Sequence, residues 1–96
     1  MAQFLITYDN KPPRNYLALY RLMATWKAVK LAESVYLVTL NANAGTVRDI
    51  VMRTLQQNDV VAVLELKAGS DWATSCVSTA ANAWLATYIR PAQKAA

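Results

Sequence analysis

Apolar residues along this chain fall into short blocks with two different periods, and the switches between the periods outline the fold. Residues 3–8, ending Phe4-Leu5-Ile6-Thr7-Tyr8, read as a strand that runs straight into Asp9 and then into a basic, proline-stiffened loop, Asn10-Lys11-Pro12-Pro13-Arg14. The spacing next predicts a helix over residues 15–25, capped by Asn15 or Asn10, because Pro12 and Pro13 are barred from a helix interior. Its apolar stripe reads as Tyr16, Leu17, Tyr20, Met23 and Ala24, with Arg14, Ala18, Arg21 and Thr25 opposite.

Residues 26–31 predict a short strand, Glu33-Ser34 a turn, and residues 35–40 a stronger strand rich in β-branched and aromatic side chains, so the two form a hairpin. After a loop over residues 41–45, Thr46 is placed to cap a helix reaching residue 56, with Val47, Ile50, Val51 and Leu55 inward and Asp49 paired with Arg53 at i,i+4. Gln57-Asn58-Asp59 turns the chain into an apolar strand over residues 60–66. A final amphipathic helix over residues 78–89 carries Ala81, Trp84, Leu85 and Tyr88 on one side.

This order is β-α-β-β-α-β with an extra C-terminal helix. It predicts an α+β, ferredoxin-like sandwich over residues 1–90, followed by a flexible tail over residues 91–96. Two right-handed crossovers put both inner helices on one face of a four-stranded antiparallel sheet. The other face needs a cover, because both parities of the first and last strands are largely apolar. The final helix can lie on its own sheet or on a partner's; a two-fold dimer, in which one self-complementary patch serves both chains, is the expectation here.

Composition narrows the chemistry. The chain has 96 residues, room for one core, and its 55% hydrophobic content again points to surface that a second copy covers. No apolar run approaches the roughly 20 residues of a membrane span, and no basic region precedes the first apolar stretch, so a cytoplasmic protein with no membrane partner is expected. The single cysteine, Cys76, excludes an internal disulfide and reads as a small buried hydrophobe. With no histidine, imidazole-based nucleophile systems and His-ligated metals are excluded. Oxygen ligation of a hard ion such as Mg²⁺ is the cofactor chemistry left.

The net charge of +4 is concentrated: residues 1–30 hold Lys11, Arg14, Arg21, Lys27 and Lys30 against Asp9 alone, whereas the five basic and five acidic groups that follow balance. Such a stripe suits phosphate, in RNA or DNA, and equally suits a solvated helix face. The candidate nucleic-acid contacts are Lys11, Arg14, Arg21 and Lys27. Asp9, where the first strand leaves the sheet, is the candidate catalytic and metal-binding residue, its other reading being turn chemistry ahead of a helix.

Several short motifs together resemble the CRISPR-associated protein 2 superfamily, and within it the small SinR-like members. They are Ile6-Thr7-Tyr8-Asp9, Arg14 opening the first helix, Glu33-Ser34-Val35-Tyr36 in the hairpin, Asn58-Asp59 before the last strand and Asp71-Trp72-Ala73 before the closing helix. The resemblance implies a ferredoxin-like homodimer in which Asp9 of each chain approaches the two-fold axis. Two such carboxylates could share one Mg²⁺ for phosphodiester hydrolysis, with Arg14 or Lys11 screening phosphate charge. The proline pair after Asp9 and the closing helix depart from the acquisition members of that family. The function this implies is a dimeric, nucleic-acid-associated module with weak or no catalysis. The alternatives are a Mg²⁺-dependent endonuclease (RNase or DNase) centred on Asp9, and a protein-interaction adaptor of a toxin–antitoxin, phage or regulatory system.

Overall fold

A computed structural model describes residues 1–9 and 15–90, so the expected loop 10–14 and tail 91–96 lie outside the described residues. The elements in chain order are β1 (Ala2–Asp9), α1 (Leu17–Thr25), β2 (Val29–Ala32), β3 (Val35–Leu40), α2 (Ala44–Met52), β4 (Val60–Leu66) and α3 (Thr79–Tyr88). The strands form one antiparallel sheet in the order β2-β3-β1-β4. This is an α+β chain with a four-stranded antiparallel sheet and three helices, compatible with a ferredoxin-like fold.

Alternation along the central strand β1 sends Phe4, Ile6 and Tyr8 to one face, where they pack with Leu19 and Met23 of α1, Val47 and Val51 of α2, and Val38 of β3. Leu5 goes to the other face, where Leu37 of β3 meets Trp84, Leu85 and Ile89. The final helix thus lies on its own sheet. The expectation that it would lie on a partner's sheet is corrected, because Leu37, Val29, Leu31, Leu5 and Leu66 of the same chain already supply its groove.

Strands β3 and β4 have the expected bounds, but β2 starts three residues later than the spacing suggests. Residues 26–28 are spent ending α1. Lys27 takes a left-handed backbone (φ 56°), its N–H donates to the Ala24 carbonyl at 3.1 Å, and the Ala28 N–H donates to the Met23 carbonyl at 2.9 Å. That pair of bonds is a Schellman ending in which lysine occupies the position glycine favours. Lys27→Gly is therefore expected to stabilise the chain by up to about 1 kcal/mol, measured by urea denaturation, through relief of the Cβ clash in that conformation.

The caps also differ from expectation. Asn43, not Thr46, caps α2: its side-chain oxygen accepts the Thr46 N–H at 2.8 Å. Arg48 takes Asp49 at 3.0 Å in place of the expected Arg53. Asn15 accepts the Leu17 N–H at 3.1 Å just ahead of α1. The buried stripe of α1 is Leu19 and Met23, flanked by Tyr16 and Leu22, whereas Leu17, Tyr20 and Ala24 face outward. Because α1 is apolar almost all the way round, its spacing supports two overlapping stripes, and the sheet selects one. On α3, Ile89 takes the buried place expected of Tyr88 by following Leu85 at i+4. Cys76, expected to be buried, is exposed at a left-handed bend (φ 63°) in the connection to α3.

Candidate functional site

Asp9 ends β1 as an exposed residue and pairs in register with Val60 at the start of β4. Alternation places it on the α3 side of the sheet with Leu5 and Thr7, beyond the helix itself. Among the described residues it has no hydrogen-bond or ion-pair partner.

The other two acidic residues singled out do not join it. Asp59 directly precedes Val60, so it points to the opposite face, where it is buried and accepts the Gln56 N–H at 2.6 Å. Asp71 follows the far end of β4, near Gln3, and is held by the Arg90 guanidinium at 3.0 Å. Among the described residues no three His, Cys, Asp or Glu side chains gather in a metal-holding group. Among the described residues Asp9 is thus the one carboxylate at this strand end, and the expected Mg²⁺ site requires the Asp9 of a second chain.

Of the candidate nucleic-acid contacts, Lys11 and Arg14 lie outside the described residues. Arg21 on α1 and Lys27 at its end are both exposed, and neither has an ion-pair partner among the described residues. Arg53, at the end of α2 and also exposed, shares that condition because Asp49 is taken by Arg48. The sequence spacing hid it by pairing it with Asp49. Lys30, by contrast, is bound to Glu33 at 3.3 Å, and that hydrogen bond raises its pKa. The free cations of the described part thus sit on the layer formed by α1 and α2 and the turns that end them.

Behind them, four tyrosines make a continuous ring ladder. Tyr8 stacks on Tyr36 (centroids 6.4 Å, 18°) and meets Tyr16 edge-on (5.3 Å, 66°), and Tyr16 touches Tyr20 (5.7 Å). Burial raises the pKa of Tyr8 well above the ordinary tyrosine value, helped by the neighbouring phenols of Tyr36, Tyr20 and Tyr16 and by Glu33. Burial also raises Tyr36, partly offset by Lys30. Of the four rings only that of Tyr20, a residue 42% exposed, is much open to solvent.

No protein-family model, curated protein or solved structure matches the chain. Among the described residues no helix is long and apolar enough to cross a membrane.

Proposed function

We propose that this chain is a ferredoxin-like, homodimeric module of the CRISPR-associated protein 2 kind, cytoplasmic, associated with nucleic acid and with weak or no catalytic activity. The observation that carries the reading is an uncovered apolar strip. On the α3 side of the sheet the cluster under the helix takes in Leu66 of β4, while Val60 and Leu64 of the same strand are each 51% exposed. They flank Ala62 and lie beside Thr7 and Asp9, which has no partner among the described residues. Exposed apolar surface of this kind, ending in one carboxylate, suits a two-fold interface that brings the Asp9 residues of two chains together. Arg21, Lys27 and Arg53, without ion-pair partners among the described residues, support a phosphate-facing surface on the helix layer. The separation of Asp9 from Asp59 and Asp71 supports weak catalysis at most.

Sedimentation at micromolar concentration is expected to give twice the chain mass, and Val60→Lys with Leu64→Lys to give a folded monomer. A wild-type monomer across that range would overturn the dimer. For nucleic acid, anisotropy with short labelled duplexes and single strands of RNA and DNA is expected to show steep salt dependence. Arg21→Ala with Lys27→Ala should lower the log–log slope by about one per lost phosphate contact, doubled where both protomers contribute. Unchanged binding by that variant would point instead to the adaptor reading, with the β4 strip taking another protein. Metal-dependent cleavage that Asp9→Asn abolishes while the dimer persists would select the endonuclease.

A further inference from the structure

The connection between β4 and α3 roofs a cavity of about 180 Å³ on the α3 side of the sheet. Leu5, Leu37 and Leu66 of three adjacent strands line it, Leu85 and Ile89 line it from α3, and Trp72 lines it from the connection. Two of the polar groups at its rim are already engaged. The Thr74 hydroxyl donates to the Asn82 side-chain oxygen at 2.5 Å, and the Asp71 carboxylate holds Arg90 at 3.0 Å. The one buried side-chain polar atom without a partner among the described residues, Thr39 Oγ1, belongs to a residue that does not line the cavity.

A water needs two to four polar partners to be held, and this lining offers almost none. The space is partly open to solvent, but its leucine and isoleucine walls favour an apolar occupant, and a cavity of about 150 Å³ is large enough for benzene. The roof is held in place independently of what lies beneath it. The Gly69 N–H donates to the Ile89 carbonyl at 2.6 Å, and the Trp72 indole N–H donates to the Arg90 carbonyl at 2.7 Å. With the Asp71–Arg90 pair, these bonds strap the connection to the end of α3, so the space is preformed and a ligand does not have to order the loop. Collapse would need Trp72 to leave its carbonyl partner.

We propose that this cavity is a binding site for a compact apolar molecule about the size of one six-membered ring, with any small polar group directed to the Ser70–Thr74 rim. It is separate from Asp9, which lies at the other end of the sheet. The test is an NMR titration of the full chain with toluene, following the Trp72 indole N–H, assigned through Trp72→Phe. The expected result is a saturable shift confined to signals from the lining, together with a higher thermal midpoint. Leu66→Phe and Ala73→Leu, which add volume at two separate walls, are expected to weaken toluene binding at least tenfold. Mesitylene, too bulky for the space, is expected to bind more weakly than toluene to the unaltered chain, an arm that does not depend on any variant folding. Shifts that do not saturate or scatter over the molecule, undiminished binding by the folded filled variants, or mesitylene binding as tightly as toluene would each overturn the proposal.

Discussion

Trp84→Ala is expected to remove about 3–5 kcal/mol of folding stability, a large part of the roughly 5–15 kcal/mol that a domain of this kind possesses. Trp84 is only 7% exposed and shares a buried cluster with Leu37, Leu85 and Ile89. Its removal takes away the largest side chain joining α3 to the sheet, and the neighbouring backbone can close the gap only in part. Tyr88→Ala is the control. Its ring lies 5.1 Å from that of Trp84 but is 41% exposed, so its loss is expected to cost less than about 1 kcal/mol. Urea denaturation in the Val60→Lys, Leu64→Lys background separates packing from association. With α3 on its own sheet, the Trp84 loss is the same at every protein concentration. A helix exchanged between chains would instead give midpoints that rise with concentration and lose that rise in Trp84→Ala.

The strands were the most legible part of the chain for a physical reason. Residues 35–40 and 60–66 are runs of β-branched, aromatic and leucine residues bounded by turn formers, and both match observed strands. What could not be read were choices made by competition. Trp26, Lys27 and Ala28 were expected to open a strand, yet hydrogen bonds back to α1 claim all three of their backbone N–H groups before pairing begins. The stripe of α1 could fall either side of Tyr20, and only the position of the sheet decides between Leu19 and Leu17. Which chain α3 covers depends on Leu37 and its neighbours forming a groove, a long-range fact that no periodicity contains.

The same division runs through the candidate site. That Asp9 ends a strand is a local property, and it was visible. Its separation from Asp59 was visible too, since the turn before the last strand carries Asp59; what the register Asp9↔Val60 adds is that Asp59 lies one residue out of phase, on the opposite face. Arg53 was masked by a helical spacing rule that a nearer partner overrode, since Arg48 reaches Asp49 first. The tyrosines were assigned to packing, and the ladder from Tyr36 to Tyr16 agrees with that. Tyr20, at its outer end beside Arg21, does not, being 42% exposed.

The second large effect expected is an alkaline loss of stability centred on that ladder. Tyr8 is held in the first core with its pKa raised by burial and by the phenols around it, and Tyr36 is raised by burial. A raised value means that, above the ordinary tyrosine pKa near 10, the unfolded chain releases these protons first and binds fewer than the folded chain. The slope of unfolding free energy with pH is then negative, at most about 1.4 kcal/mol per pH unit for each proton not yet lost from the folded state. The stabilisation is complete below about pH 10 and is lost as pH rises through the folded values. Lys30, raised by its hydrogen bond to Glu33, adds a surface contribution of the same sign. Urea midpoints measured from pH 8 to 12 are expected to be level at first and then to fall. Tyr8→Phe removes the most strongly held proton, so it should flatten the fall even where it lowers stability at neutral pH. Curves for Tyr8→Phe that run parallel to wild type throughout would mean that the loss arises elsewhere, and Glu33→Gln would then show whether the Lys30 pair is its source.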